Sequence, residues 1–467
     1  MAPSGLARGS IGTAHIVFFV VAAAAPLTAV VGASTAAFAF GNGAGVPAVF
    51  LLVGLFYLLF SAGFTAMSRF VATSSGFYAY VARGLGRPAG VATAALALTA
   101  YQAIALAVCG LFGFFANAAL KTTLNVALPW WAAALALVFI VHVCGRRAIT
   151  FTSSLLAVCM AGEVLMLLAL GLAILWRDAP GPAPLAPVFA LFGPGLGIAL
   201  VFVVAAFIGF EATVIFGDEA REPKRTIPRA TYLAVSLIAL FYAFSTWTMV
   251  IHVGADHVAA LAAANPAEFY LGAISQMLGP VVRDIANVLL LTSIFACVLS
   301  FHATISRYLA SVAREGLCHA GLAAIHPRHR SPHIAGLTQT LVSAVVIVGC
   351  ALRGVDPYAG LFAWTGALAS LGVLAIQLLT SLAVVGFFRR ETRGVDLFHR
   401  FIAPALSAVG LIVALALSVM NLPLLSGSTS PLVFLLPAAL ATVALAGILI
   451  AFRMRAARPD LYLALGG

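Results

Sequence analysis

Apolar residues run along this chain in stretches of about twenty, the length that crosses a hydrocarbon core as a helix. Glycine, proline and polar residues punctuate them. The pattern predicts twelve membrane helices, over residues 13–40, 47–69, 89–118, 126–145, 149–176, 193–217, 227–252, 283–313, 333–352, 357–388, 401–421 and 431–452. Short segments of alternating polarity, the mark of a membrane β-barrel, are missing from the sequence. The expected class is therefore an all-α integral membrane protein.

Composition agrees. Of 467 residues, 63% are hydrophobic and 8% charged, against about 25% charged in a soluble domain. A net charge of +11 raises the question of a nucleic-acid partner. The placement of the charge answers it better. With the first residues cytoplasmic and twelve alternating crossings, 21 of the 25 basic residues fall on the cytoplasmic side. Lys121, Arg177, Arg283 and Arg353 are the four outside. Such a bias sets orientation and puts both termini in the cytoplasm, as expected for a multi-pass protein of the inner or plasma membrane. The first apolar run is too long for a signal-peptide core and is read as a retained helix. The bilayer is the only macromolecular partner visible, and no nucleic acid is expected.

Other motifs carry little chemistry. Cys109, Cys144, Cys159, Cys297, Cys318 and Cys350 include no CxxC pair and read as packing residues rather than disulfides or metal ligands. GNGAG (41–45) and GPGLG (193–197) sit at helix ends, follow no strand and lack the Lys-Ser/Thr of a phosphate loop. His326, His329 and His333 are loosely spaced around prolines, and no metal or cofactor is expected.

Two spans are interrupted at their centres. The first reads VVAAAAPLTAVVG (20–32), with Pro26 in mid-span. The sixth, FIGFEATVIFGDEAREPKRTIP (207–228), meets Gly209 and Glu211 in mid-membrane. Proline removes a helical hydrogen bond and clashes with the turn before it. Broken backbone at membrane depth survives only where it is buried or lines a wet cavity. Paired breaks five helices apart point to a secondary transporter with a midplane site. Half-helix amides near Leu27 and Thr28 attract an anion, and carbonyls of Ala22, Ala23, Phe207 and Ile208 attract a cation. With Ala25, Pro26, Gly209 and Glu211 these are the expected substrate site, fitted to a molecule with both an ammonium and a carboxylate.

Three stretches resemble the amino acid–polyamine–organocation permeases: GFEATVIFGDEAREPKRTIPRA (209–230), SSGFYAYVARGLGRPAG (74–90) and SRYLASVAREGLCHAGLAAIHPRHRSPHIAG (306–336). The resemblance covers roughly residues 12–390. It implies a five-plus-five inverted repeat with discontinuous helices one and six. The organisation would be a cytoplasmic segment 1–12, a first repeat 13–176, a second repeat 193–388, two further helices over 401–452 and a cytoplasmic tail 453–467. It also implies uptake or exchange of amino acids or related amines, driven by a proton or substrate gradient. The chain departs from the family twice. Ala24-Ala25-Pro26 stands where a glycine-rich break is common, and the fifth helix carries Glu163 where many proton-coupled members carry a lysine.

Glu163, in SSLLAVCMAGEVLMLLALG (153–171), is costly at membrane depth. It reads either as a coupling site for a proton or as a structural hydrogen-bond partner, with His302 of the eighth span within possible reach. Glu211 reads either as a charge facing the substrate's ammonium or as a cap on the inner half of helix six. Phe207 and Tyr101 are gate candidates, with core packing the default for each; Phe210 reads as a wall. The charged block 218–229 is an inner gate or a solvated loop. A carboxylate-free amine is the alternative cargo. A channel would need pore-lining rings, and a membrane-embedded enzyme would need clustered acids or histidines; the sequence offers neither.

Overall fold

The computed structural model describes residues 9–71, 76–147, 149–178, 185–217, 219–266, 268–391, 394–428 and 430–466. Arg8 and Arg393, counted in the charge pattern, and Asp218 of the charged block lie outside the described residues, as does most of the segment 1–12. The core is a bundle of helices: α1 (Thr13–Phe40), α2 (Gly43–Ser68), α3 (Arg87–Leu124), α4 (Trp130–Gly145), α5 (Ile149–Arg177), α6 (Leu196–Phe216), α7 (Pro223–Val253), α8 (Pro280–Arg314), α9 (His333–Leu352), α10 (Pro357–Phe388), α11 (Phe398–Met420) and α12 (Pro431–Ala457). Shorter helices at Phe77–Leu85, Val258–Ala264 and Glu268–Leu278 fill the connections.

Among the described residues, eleven helices are long and apolar enough to cross a membrane. The fourth expected span, 126–145, is the exception. Asn125 takes a left-handed conformation, Pro129 caps the next helix, and α4 starts only at Trp130. Its 16 residues reach about 24 Å, short of the roughly 30 Å hydrocarbon core.

Burial sorts the helices into an inner and an outer set. In both α1 and α6, 78% of the most apolar window is buried, against 17% in α12. The two broken helices thus sit at the centre, and α12 presents leucine and isoleucine outward. The inner half of α1 packs against α5, α7, α8 and the last turns of α6. Several helices also pack on the helix five places along: α2 on α7, α3 on α8 and α4 on α9.

Where α1 begins and α6 ends, the chain is fastened twice. Ile11 forms an isolated parallel bridge with Ala220: its amide donates to the Glu219 carbonyl at 3.1 Å, and the Arg221 amide donates to the Ile11 carbonyl at 2.8 Å. Next to it, Arg307 of α8 donates from Nε to Glu219 Oε1 at 2.6 Å, with both side chains buried. Its guanidinium lies 5.6 Å from the centre of the Phe216 ring, which stacks on Phe19. Part of the charged block is therefore neither solvated nor loose.

Candidate functional site

The break in α1 falls between Ala24 and Pro26. Pro26 opens the outer half, where its fixed φ and missing N–H cost nothing. Ala25 absorbs the change of direction at φ 46°, a left-handed conformation that costs an alanine about 1–2 kcal/mol. Its amide still donates to the carbonyls of Val21 and Ala22. In α6, regular helix stops at Ala205, a turn follows, and a 3-10 segment runs over Phe210–Phe216. Gly209 makes this corner at φ 115°. The two corners touch: a Cβ on Gly209 would lie 2.9 Å from the Ala23 Cβ.

Sequence reasoning expected free backbone groups at these corners. In the structure most are already taken. The Leu27 amide donates to Glu163 Oε2 at 3.2 Å. Pro26 has no amide to offer. The Ala23 carbonyl accepts from Cys297 Sγ at 3.1 Å, and the Ala24 carbonyl from the Tyr242 hydroxyl at 3.1 Å. The Phe207 carbonyl accepts from the Phe210 amide at 3.4 Å. Ala22 gives its carbonyl to Ala25, and Ile208 is buried beside the corner.

Glu163 is buried to 1% exposure. Besides Leu27 it accepts from Ser293 Oγ at 2.6 Å, and Thr28 Oγ1 donates to Ser293 at 3.0 Å. The expected approach of His302 to Glu163 does not occur. His302 lies nine residues beyond Ser293 on α8, about 13 Å along the axis, and its Nδ1 faces Gln339 Oε1 at 2.5 Å. It packs between α4 and α9, where Gly145 and Gly336 leave room for the ring.

Glu211 is fully buried and turns one oxygen back on its own corner: Oε2 accepts from the Gly209 amide at 2.9 Å. Its Oε1 and the Tyr101 hydroxyl from α3 make no close hydrogen bond, but the two side chains face one another near hydrogen-bonding reach. Tyr101 packs edge-on to Tyr308, with ring centres 6.4 Å apart. The Phe207 ring packs against Tyr57 and Phe50 of α2, 5.2 and 6.4 Å between centres. Phe210 likewise packs on Tyr57 and Phe60. Both are core aromatics joining α6 to α2.

Sequence reasoning missed Ser293, Cys297 and Tyr242, the side chains that satisfy the broken backbone, and the Glu219–Arg307 pair. Arg307 had a signal. It is a charge well inside an apolar span, and a charge there needs a partner. A separate cavity of about 420 Å³ has walls from α3, α8, α9 and α10 and none from α1 or α6.

The family model for amino acid permeases matches residues 15–453. The chain belongs to the amino acid permease family. An uncharacterized transporter of Mycobacterium tuberculosis (strain ATCC 25618 / H37Rv) is 32% identical over 149 residues, 32% of this chain and 33% of the relative. A branched-chain amino acid permease of Bacillus subtilis (strain 168), BcaP, is 24% identical over 46% of this chain and 42% of its own length. Its counterpart in Lactococcus lactis is 27% identical over 46% and 43%. The matched part of this permease thus spans about a third of the mycobacterial relative and less than half of the other two. Family and helices together make it a multi-pass membrane protein of the amino acid permease family.

Proposed function

We propose that this permease carries out secondary active uptake of an amino acid, coupled to a proton, through a midplane site between the corners of α1 and α6. The observation that carries the reading is the contact of the two corners, Gly209 against Ala23, inside two of the most buried helices of the bundle. Twelve crossings, with α4 as a short one, and cytoplasmic termini in the inner or plasma membrane follow from the charge bias. Packing of helices five apart supports an inverted repeat of α1–α5 and α6–α10. Ala22, Ala23, Ala25, Pro26, Leu27, Thr28, Ile208, Gly209 and Glu211 line the site in this reading. The Glu211 Oε1 atom and the Tyr101 hydroxyl, both buried, facing one another and without a close hydrogen bond, receive the ammonium.

One observation favours a second reading. Both corner amides, Leu27 and Gly209, already hold glutamate oxygens, and an amine without a carboxylate would not have to displace them. Thermal unfolding of the purified protein with a panel of amino acids and of amines separates the two, because a ligand for the folded state raises the melting temperature. Stabilisation by an α-amino acid, lost in Glu211→Gln, supports amino acid uptake. Stabilisation by amines alone supports the second reading. Stabilisation by neither, with no saturable uptake into liposomes, overturns both.

A further inference from the structure

The anion-seeking end of the outer half of α1 is filled by the protein itself. Glu163 reaches it from α5, 136 residues away in sequence. Its Oε2 takes the Leu27 amide and the Ser293 hydroxyl, and Thr28 completes the chain through Ser293. Every partner is a neutral donor. No arginine, lysine or histidine bonds to Glu163 among the described residues. The titratable groups that face it are Tyr242 of α7, Cys297 of α8 and Cys159 one turn back on α5. Leu27, Thr28 and Ser293 do not titrate. Glu268, on the short helix that also packs on α5, is paired with Arg283, and His142 of α4 is bonded to Thr340.

We propose that Glu163 is a resident competitor for the substrate carboxylate, so that an amino acid reaches the Leu27 amide only as Glu163 takes up a proton and withdraws. This rests on the midplane site proposed above. Two carboxylates cannot share one amide in a buried site while both are charged. Hydrogen bonds to a charged acceptor are roughly twice as strong as those to a neutral one. Protonation from the aqueous side therefore weakens the hold of Glu163 just as it removes the repulsion. The charge balance closes: one carboxylate enters the cluster and one proton neutralises the carboxylate it replaces. An amine has no carboxylate to seat and makes no such demand. The device is thus a specificity filter as well as a coupling step.

The experiment uses the full chain in lipid nanodiscs. A panel of the standard amino acids first identifies one that binds. Its affinity, and that of the amine obtained by removing its carboxyl group, is then measured from about pH 5 to about pH 8. The expected result is an amino acid Kd that rises by up to about tenfold per pH unit on the alkaline side, with no such rise in the amine Kd. Glu163→Gln should flatten the amino acid curve. Glu211→Gln should weaken both ligands and keep the slope. If Glu163→Gln fails to fold, calorimetry of the unaltered protein in buffers of different ionisation enthalpy serves instead. Binding should then take up about one proton per amino acid and none per amine. A pH-independent amino acid Kd, a slope that survives in Glu163→Gln, or no proton uptake overturns the proposal and leaves the midplane site standing. Binding of amines but of no amino acid overturns it in favour of the second reading. Binding of neither overturns the site as well.

Discussion

The corner at Gly209 makes a quantitative demand on the sequence. Gly209→Ala adds one methyl group at φ 115°, and that carbon would sit 2.9 Å from the Ala23 Cβ and 3.5 Å from its carbonyl carbon. The backbone conformation alone costs an L-residue about 1–2 kcal/mol. Overpacking adds about 1–3 kcal/mol, for a loss of about 2–5 kcal/mol. The control is Gly32→Ala on the same broken pair of helices. Nothing lies within 4 Å of a Cβ at Gly32, and alanine there should gain about 0.5–1 kcal/mol. Two chemically identical substitutions are thus expected to shift stability in opposite directions. Denaturant midpoints in a fixed detergent read the signs. Adding Ala23→Gly to Gly209→Ala removes the contact but not the backbone strain, so it should recover the overpacking part alone. A Gly209→Ala protein as stable as the unaltered one would refute the close approach of the two corners. Full recovery in the double variant would refute the strain.

Other expectations are as direct. Glu219→Ala or Arg307→Ala strands a buried charge and should each cost about 3–5 kcal/mol; the double substitution should cost clearly less than their sum, measured by the same midpoints. Tyr101→Phe removes a buried hydroxyl that faces Glu211 without a close hydrogen bond, so stability should change by less than about 1 kcal/mol while substrate affinity falls; a larger loss of stability would refute the loose contact. Ala25→Gly trades left-handed strain, about 1–2 kcal/mol, against the flexibility of glycine, about 0.5–1 kcal/mol, and should change stability by less than about 1.5 kcal/mol in thermal unfolding.

The membrane class, nearly all the helices and both corners were legible in the sequence, because bilayer thickness and the chemistry of proline and glycine act locally. Pro26 and Gly209 mark their corners directly. Ala25 does not, since an alanine gives no sign of a left-handed backbone. The length of α4 was misjudged because Val126, Ala127 and Leu128 are apolar without being helical; hydropathy reads the residues and not their conformation. Partners were the least legible part. Glu163 was visible as a costly acid, but whether His302 or Ser293 met it depended on the depth of each along α8. Phe207 adjoins the break in sequence, yet its ring turns to α2, and adjacency along a chain does not give side-chain direction. Glu219 and Arg307 are 88 residues apart, and only packing brings them together.

The bridge between Ile11 and Ala220 has a further consequence. Its two hydrogen bonds join main-chain atoms of both segments, so no exchange of one ordinary side chain for another removes them. An alanine scan would remove the Arg221 Nε bond to the Gly9 carbonyl but pass over the two main-chain bonds, and sequence drift at Ile11 or Ala220 could proceed without loosening them. Proline is the residue that would register: Arg221→Pro deletes the donor to the Ile11 carbonyl, a loss that Arg221→Ala does not cause, while leaving the Ile11 amide bond to Glu219 and the atoms of the neighbouring ion pair in place. A joint made this way is tied to the path of the chain, and it can persist among relatives whose residues there no longer resemble one another.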